Sequence, residues 1–299
     1  MRPAAPDPAG LLARCTFPPP GTDVALAVSG GPDSTALALL AVAAGLRSTI
    51  HHVDHGLRRG SADEARLVER LAKSLEVPFV AHAVTVAEGG NLEARARAAR
   101  RAALPHGVLT GHTMDDQAET VLLNLLRGSG LDGLAAMSPA TKPLLGLRRH
   151  ELRALVRSQD LEVVDDPSNI DLSIRRNLVR QRILPELGAV SRRDLVPVLA
   201  RQAALARDDA SLLDALALAA VPDYLDVAAL RAAPLALRRR RLRDLARDTA
   251  TDLGDGQHPP SAAEVDRMEA VVQGEAVATE LSSGRRLSRS KGRLHVTAA

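Results

Sequence analysis

The chain has 299 residues, 45% of them hydrophobic and 25% charged, which is enough for a soluble protein with two domains. Its 39 basic and 36 acidic residues leave a net charge of +3, so nucleic-acid binding would depend on local basic patches. No apolar run approaches the roughly 18 residues needed to cross a bilayer, and the Pro- and Ala-rich N-terminus lacks a signal peptide's apolar core. We therefore expect a cytoplasmic protein with no membrane partner.

The scarcity of cysteine and aromatic residues excludes several kinds of site. Cys15 is the one cysteine, so the chain can form neither an internal disulfide nor a zinc or iron–sulfur site built from cysteines. Phe17, Phe79 and Tyr224 are the aromatic residues. They are too few for RNA recognition by aromatic stacking.

The stretch from Val24 to Thr35 predicts a strand, a tight glycine turn and a helix. We expect the strand over about 23–29 and the helix over about 33–45. The turn between them reads Ser29-Gly30-Gly31-Pro32-Asp33-Ser34. Adjacent glycines let the backbone approach a ligand closely, and a helix start offers free N–H groups and a positive dipole end. This combination favours phosphate binding.

The side chains of the turn fit the same ligand. Ser29 and Ser34 add hydroxyl donors, and Asp33 could hold a Mg²⁺ ion that accompanies phosphates. The turn lacks the Gly-Lys-[Ser/Thr] of a Walker A loop and the spacing of a dinucleotide-binding fingerprint. It resembles instead the pyrophosphate loop of enzymes that cleave ATP to AMP and pyrophosphate.

Strands and helices continue to alternate along the chain. We expect strands over about 48–53, 78–84 and 107–110, and helices over about 61–75 and 92–103. This alternation predicts a parallel sheet covered on both faces. Ligands of such sheets bind beyond the carboxyl ends of the strands. Polar clusters that follow the strands should therefore converge on the glycine turn.

The first such cluster runs from His51 to Arg58. Its histidines could indicate a metal site, a structural strand end or a contact to nucleotide or substrate. Strand alternation puts His51 on one face and His52 with Asp54 on the other, which disfavours a metal site. His55 and Arg58 follow the strand, and we expect them to face the phosphates or the transferred group.

The second cluster runs from Gly111 to Thr120 and opens a helix at Thr113. Asp115 and Glu119 lie one turn apart on the same helix face, where like charges repel. A shared Mg²⁺ ion or the ammonium group of a substrate would relieve that repulsion. A solvated acidic first turn is the simpler alternative.

Two more clusters are less specific. Asn91 to Arg97 is followed by more arginines and can be a solvated helix face. Beyond a helix at about 148–158 and a short strand at about 161–164, Asp165 to Asn169 and Arg175 to Arg180 form turn residues and a basic helix start. They would suit an anion or an RNA edge, without showing which.

The last third of the chain is less informative. A long helix over about 185–215 is a plausible connector between domains. Arg238-Arg239-Arg240-Arg241 lies on an amphipathic helix, with one side in the core and the other either solvated or in contact with an RNA backbone. A short helix at about 264–272 and strand-like pieces between 279 and 296 predict a small α+β domain.

Six motifs occur in one order over residues 24–182, namely SGGPDS, HHVDHGLR, NLEARAR, GHTMDDQAET, LLRGSGLDGL and DDPSNIDLSIRRNLVR. Together they resemble the tRNA(Ile)-lysidine synthetase family of ATP pyrophosphatases over about two-thirds of the chain. The resemblance implies an α/β fold with a parallel-sheet, Rossmann-like ATP-pyrophosphatase domain and connector helix at residues 1–205. It also implies a smaller, mainly helical α+β domain that binds tRNA at residues 206–299.

The resemblance also implies a reaction. The family uses ATP and Mg²⁺ to adenylate the C2 oxygen of the wobble cytidine in tRNA(Ile) with a CAU anticodon, releasing pyrophosphate. The ε-amine of free L-lysine then displaces AMP to give lysidine, which changes codon reading from AUG to AUA. A homodimer is a reasonable expectation, although the sequence leaves the oligomeric state open.

Most of the expected site residues lie in the matching motifs, whereas Arg239 and Arg240 come from the basic helix of the last third of the chain. The residues expected to bind ATP are Ser29, Gly30, Gly31, Pro32, Asp33, Ser34, His52, Asp54, Gly111 and His112. Asp33 and Asp116 are expected to hold Mg²⁺. The expected catalytic residues are Asp33, His55, Arg58, Arg97, Asp115, Asp116 and Glu119, with Asp115 or Glu119 taking the proton from lysine. The residues expected to contact tRNA or lysine are Glu93, Arg175, Arg176, Asn177, Arg180, Arg239 and Arg240.

Two positions depart from the family pattern. Arg101 stands where a Tyr is common, and Lys142 stands where an Arg usually precedes Pro-Leu-Leu. Three rival functions also stay open. They are tRNA thiolation, which usually needs active-site cysteines or an iron–sulfur cluster, amidation of a small molecule, and tRNA binding without catalysis.

Overall fold

The computed structural model describes residues 7–54, 61–84, 95, 99, 102–164, 170–251, 260–282 and 284–298. The chain divides into two compact units, Met1–Arg207 and Asp208–Ala299. The first unit contains a four-stranded sheet and the second a three-stranded sheet.

The sheet of the first unit is parallel and has the strand order β3-β2-β1-β4. Its strands are β1 (Asp23–Ala27), β2 (Arg47–Asp54), β3 (Phe79–Ala83) and β4 (Leu109–Thr110). Leu26 of β1 and Ile50 of β2 are fully buried, as expected for strands covered on both faces. The chain adds β2 and β3 on one side of β1 and β4 on the other. The strand order therefore reverses between β1 and β4, which is where such sheets bind ligands.

Eight helices up to Ser191 are described in the first unit besides this sheet. They are α1 (Pro8–Leu12), α2 (Pro32–Ala43), α3 (Ser61–Ser74), α4 (Met114–Leu126), α5 (Leu131–Leu134), α6 (Arg149–Ser158), α7 (Arg175–Leu178) and α8 (Leu184–Ser191). A 3₁₀ turn spans Pro139–Thr141, and a π-helical turn spans Val179–Ile183. Leu37 of α2 and Leu152 of α6 are fully buried in one core with the sheet. This packing brings the start of α6 close to the start of α2.

Two sequence predictions in this unit were wrong. The single helix expected over 185–215 is interrupted, because Arg192 has a left-handed φ of 52° and Asp194 caps the next helix through the N–H of Val196. That next helix is α9 (Leu195–Ala220), and the boundary between the units falls within it. Residues 161–164 do not form a strand, and Val164 instead donates its N–H to the carbonyl of Gly30.

The second unit is mainly helical and ends in an antiparallel sheet. Its elements are α10 (Val227–Ala232), α11 (Leu235–Thr251), α12 (Ala262–Gln273), β5 (Ala278–Glu280), β6 (Arg285–Ser290) and β7 (Arg293–Ala298). The strands pair in the order β5-β6-β7. Leu242, Met268 and Leu287 are fully buried, so helices and sheet share one core. Across the described part of the chain, no helix is long and apolar enough to cross a membrane.

Candidate active site

β1 leads into a tight turn that leaves the start of α2 open. Gly30 has a φ of +87°, a left-handed conformation that glycine adopts without strain. Gly31 caps α2 without a side-chain hydrogen bond, so the first N–H groups of the helix lack a side-chain acceptor. Ser34 Oγ accepts the Ser29 N–H, lies 3.2 Å from Ser29 Oγ and donates to the Gly31 carbonyl. The turn therefore presents the N–H groups and hydroxyls that an anion site requires.

Two glycines let other segments approach this turn closely. A Cβ atom on Gly30 would lie 2.9 Å from Cγ2 of Val164. A Cβ atom on Gly111, directly after β4, would lie 2.7 Å from the carbonyl oxygen of Asp33. Glycine at position 111 therefore lets the end of β4 pack against the first turn of α2. This contact lies at the ends of β1 and β4, the two strands between which the strand order reverses.

Asp33, in the first turn of α2, is largely withdrawn from water. Its Oδ2 lies 3.3 Å from Nε of Arg149, whereas its Oδ1 is buried without a hydrogen-bond partner. Burial raises the pKa of Asp33 to about 6, against the opposing effect of Arg149, and the nearby Asp116 raises it further. A buried carboxylate oxygen without a partner is costly in the ligand-free protein and is available to a cation.

α4 begins with a capping box that fixes the next carboxylate. Thr113 Oγ1 accepts the Asp116 N–H, and Oδ2 of Asp116 accepts both the N–H and the hydroxyl of Thr113 at 2.8 Å. Its Oδ1 lies 2.7 Å from Arg149 and 3.3 Å from Arg176. Burial would raise the pKa of Asp116, but these two guanidinium groups together with the hydrogen bonds from Thr113 outweigh it and lower the pKa.

Glu119, one turn further along α4, is fully buried and bound by three arginines. Arg149 and Arg180 lie 3.1 Å and 2.7 Å from Oε1, and Arg176 lies 2.7 Å from Oε2. Arg176 stands on α7 and Arg180 in the π-helical turn that follows it. The two carboxylates expected to share a cation thus have separate arginine partners, because Asp115 pairs with Arg148 instead.

Asp115 connects α4 to the start of α6. Its carboxylate accepts the backbone N–H of Arg149 at 2.8 Å and lies 3.2 Å from NH2 of Arg148. Arg148 also pairs with Asp194, in the short linker before α9. A cavity of about 300 Å³ opens beside these groups. It is lined by the charged residues Asp115, Glu119, Arg148, Arg149, Arg180, Arg193 and Asp194 and by Leu184, Pro185, Gly188, Leu195 and Val196.

The other residues expected at the nucleotide site have varied surroundings. His52 is buried, and its Nδ1 lies 2.9 Å from the carbonyl oxygen of Val28. His112 Nδ1 lies 2.8 Å from the hydroxyl of Thr110, and Asp54 is half-buried at the end of β2. His55, Arg58, Glu93 and Arg97 lie outside the described residues.

Four of the residues expected to contact tRNA or lysine fall into two groups, one exposed and one buried. Arg175 is exposed, and Arg239 keeps 41% of its side chain exposed while pairing with Asp266. Asn177 is buried and donates to the carbonyl of Asp171. Arg240 is also buried and pairs with Asp214 at 2.8 Å, so its guanidinium has a partner within the second unit.

Among the residues that the structure describes, no group of three or more His, Cys, Asp or Glu side chains could hold a metal ion. Mg²⁺ bound with a triphosphate commonly takes only one or two protein carboxylates. Asp33 fits that role, since its Oδ1 lacks a partner, whereas both oxygens of Asp116 already have partners. The Mg²⁺ site at Asp33 and Asp116 stays a prediction.

Arg148 and Arg149 were not among the residues predicted for the site. Arg149 contacts Asp33, Asp116 and Glu119, and so lies at the centre of the cluster. One signal was present in the sequence. Two adjacent arginines begin α6, where the helix dipole disfavours positive charge, so a cluster of acidic partners was a reasonable expectation.

The fold and the glycine turn define a PP-loop protein. A family model described as a PP-loop domain matches residues 11–187, more than half of the chain. The chain belongs to the tRNA(Ile)-lysidine synthase family. A protein of that name from Thermobifida fusca is 43% identical over 76% of this chain and 78% of its own length. The protein of that name from Streptomyces coelicolor is 43% identical over 82% of this chain and 77% of its own length. The one from Mycobacterium tuberculosis H37Rv is 42% identical over 77% of this chain and 77% of its own length.

A solved structure supports the fold alone. The U34-tRNA thiolase NcsA from Methanococcus maripaludis, described with its [4Fe-4S] cluster, superposes with a TM-score of 0.54 at 17% identity. The match covers 67% of this chain and 78% of the thiolase. The predicted family, enzyme class and parallel-sheet fold with a smaller C-terminal α+β region are thereby confirmed.

Proposed function

We propose that this protein is an ATP-dependent ligase that joins free L-lysine to C2 of the wobble cytidine of tRNA(Ile) with a CAU anticodon. The products are lysidine, AMP and pyrophosphate. The modification changes the codon that the tRNA reads from AUG to AUA. One observation carries the proposal for this family member. The start of α2 lies beside the carboxylates of α4, because Arg149 contacts Asp33 on α2 as well as Asp116 and Glu119 on α4. A nucleotide and an amine could react across such a site.

The glycine turn is the proposed triphosphate site. N–H groups at the start of α2 and the hydroxyls of Ser29 and Ser34 would bind the phosphates, as helix N-termini commonly do. In the first step the C2 oxygen of the cytidine attacks the α-phosphorus and pyrophosphate leaves. Fixed donors favour this step because they stabilise charge on the leaving group without having to reorganise.

Asp33 is the proposed Mg²⁺ ligand, supported by its buried and unpartnered Oδ1. When bound, the ion would neutralise charge on the phosphates. Asp116 is the second proposed ligand, and it could contribute only after Oδ1 exchanges its contacts with Arg149 and Arg176. Asp33 itself would orient the nucleotide through its position in the first turn of α2.

The 300 Å³ cavity is the proposed site for free lysine. Apolar side chains such as Leu184 and Val196 would pack against the aliphatic stem. Arg193 at the lining could bind the α-carboxylate, while Asp115 and Asp194 could bind ammonium groups. A zwitterionic ligand with a long stem suits this mixture better than a purely apolar or purely anionic one.

Asp115 is the better candidate for the base that accepts the amine proton. Its side chain is 17% exposed at the cavity, whereas Glu119 has no exposure and three arginine partners. The amine, once deprotonated, attacks C2 and AMP leaves with the C2 oxygen. The exposure of Asp115 at the cavity supports this choice, because a general base must reach the proton that it takes.

The proposed tRNA contacts use exposed basic residues. Two arginines are accessible to a phosphate backbone, namely Arg175 at the start of α7 and Arg239 in the second unit. Arg176 and Arg180 would act instead through Glu119, which they bind. The second unit, Asp208–Ala299, is the proposed tRNA-binding domain, and the protein is proposed to act in the cytoplasm, with a homodimer as the expected assembly.

Thiolation is the main rival, and Cys15 argues against it. It is the one cysteine of the chain, and thiolation usually relies on several. Burial raises the pKa of the Cys15 thiol to about 11, although Arg14 opposes the shift. A thiol that stays protonated at neutral pH is a poor nucleophile and a poor metal ligand.

A single assay tests the proposal. Purified protein would be incubated with labelled ATP and Mg²⁺, with and without L-lysine and with tRNA(Ile) bearing CAU or a control tRNA. We expect AMP to form only when lysine and the cognate tRNA are both present, and lysidine to appear at the wobble position by mass spectrometry. AMP formation that does not need lysine would favour thiolation, and no AMP at all would favour a binding protein.

An Asp33→Ala variant provides the matched control. It should abolish pyrophosphate release while leaving tRNA affinity largely intact, since Asp33 lies on α2 and not among the basic residues proposed to meet tRNA. Full activity of this variant would refute the assignment of the phosphate site.

A further inference from the structure

Arg149 lies among carboxylates that come from two separate segments. Its Nε lies 3.3 Å from Asp33 on α2, and its NH2 and NH1 lie 2.7 Å and 3.1 Å from Asp116 and Glu119 on α4. Only 12% of the Arg149 side chain is exposed. A planar guanidinium with several donors in a fixed fork suits such a three-way contact, whereas a lysine ammonium would not reproduce it.

The backbone of Arg149 is held in place as well as its side chain. Asp115 accepts the Arg149 N–H, so an acidic residue of α4 caps the start of α6. Arg148, the N-cap residue, supplies no side-chain cap of its own. A substitution of the Arg149 side chain keeps this backbone hydrogen bond, so Asp115 still supports the start of α6. The effect of the substitution on the three carboxylates can therefore be measured without loss of the helix.

Without Arg149, the carboxylates of Asp33, Asp116 and Glu119 would face a site that must accept a polyanion. Like charges at short range in a site with little water repel strongly. Arg176 and Arg180 bind Glu119 but have no contact with Asp33 in the structure. Arg149 is thus placed to neutralise the side of the cluster that faces the glycine turn.

We propose that Arg149 is a positioning residue that holds these three carboxylates in place and neutralises them, so that the site accepts an anionic nucleotide. The inference rests on the proposed ATP-dependent function, because it assigns Arg149 a role in nucleotide binding. It predicts opposite changes for two ligands. Removal of the positive charge should weaken binding of ATP and strengthen binding of a bare divalent cation.

Two variants and a control test the inference. Arg149→Gln removes the charge, and Arg149→Lys retains it without the fork. Arg157→Gln removes a charge from an exposed position on the same helix. For each protein, Mn²⁺ affinity without nucleotide would be measured by electron paramagnetic resonance, ATP affinity by titration calorimetry with Mg²⁺, and folding by thermal unfolding.

We expect Arg149→Gln to weaken ATP binding roughly tenfold or more, and to tighten Mn²⁺ binding severalfold. Arg149→Lys should recover part of the ATP affinity, and Arg157→Gln should behave as wild type. A purely structural role would weaken both ligands together, and that result would overturn the inference. Unchanged affinities in Arg149→Gln would overturn it too. If Arg149→Gln fails to fold, an Arg149→Lys variant with wild-type affinity for ATP overturns it.

The outcome is independent of the ligation reaction. A wild-type protein that binds ATP with Mg²⁺ but makes no lysine-dependent AMP would refute the proposed function and leave the role of Arg149 standing. Conversely, an active wild type with unchanged binding in the variants would refute the role of Arg149 alone.

Discussion

Nε of Arg180 lies 2.7 Å from Oε1 of Glu119, a carboxylate with no exposure to solvent. Arg149 and Arg176 bind the same side chain, so one buried acid connects α4 to α6, α7 and the π-helical turn. π-Helical turns are rare in proteins, and those that occur are often found at functional sites. Glu119 therefore organises the basic side of the site, and its removal should affect folding as well as activity.

Glu119→Gln should destabilise the first unit by about 3–5 kcal/mol, because three guanidinium groups would lose a buried charged partner. Denaturant unfolding of the full chain measures the change. Glu162→Gln is the matched control, since it breaks a pair with Arg70 in which the side chains are 78% and 62% exposed. Such surface pairs contribute under about 1 kcal/mol. Equal losses in the two variants would contradict the role given to Glu119.

Gly111→Ala should distort the start of α2, because its Cβ atom would lie 2.7 Å from the backbone oxygen of Asp33. Overpacking of this kind costs about 1–3 kcal/mol, and ATP affinity should fall with it. Gly130→Ala serves as the control, since no atom lies within 4 Å of its added Cβ and its φ is −76°. Thermal unfolding and ATP titration would be compared. Wild-type ATP affinity in Gly111→Ala would show that the contact has room to relax.

Asp33 should make the stability of the first unit depend on pH. Burial raises its pKa in the folded state to about 6 from an ordinary value of 3.8. Between these two values the folded protein holds a proton that the unfolded chain has lost, so stability falls as the pH rises from about 4 to about 6. Above that range the ionised carboxylate costs at most about 3 kcal/mol.

Asp33→Asn should therefore be more stable than wild type at pH 7.5, and the difference should shrink toward pH 4. Urea unfolding in EDTA at several pH values measures the difference, and groups common to both proteins cancel. A difference that is constant with pH, or that grows at low pH, would contradict the raised pKa.

The arginine run of α11 should contribute to stability unequally. Arg238 is buried, donates to the carbonyls of Leu230 and Ala233, and pairs with Glu269 at 2.7 Å. Arg238→Met should cost about 3 kcal/mol or more, because those acceptors would lose a buried charged donor. Arg239→Met, at the next position, should cost under about 1 kcal/mol, since its pair is exposed. Urea unfolding that ranks the two variants in the reverse order would contradict this assignment.

Much of the fold could be predicted because its signals are local. The glycine turn after β1, the capping box at Thr113 and the alternation of strands and helices depend on residues close together in sequence. The errors arose where local patterns continued across a break. Apolar spacing over 185–215 gave no sign that Arg192 would take a left-handed φ of 52° and split the helix.

The site was predicted in part for the same reason. Asp33, Asp115, Asp116 and Glu119 stand in recognisable motifs, and the structure brings them together. Their partners did not stand out, because Arg149 is 116 residues from Asp33 and Arg180 is 61 residues from Glu119. The sequence also suggested that Arg240 meets RNA, whereas packing buries it against Asp214.

The sequence by itself determined the family, the glycine turn after β1 and most of the alternation of strands and helices, since each depends on residue types at short, fixed spacings. Only the tertiary structure decided which charges pair and which are exposed. The packing of α6 against α2 and the sheet places Arg149 among the acids of α4, and burial makes those contacts strong. Such pairing depends on distances between helices far apart in the chain, and no local periodicity encodes those distances.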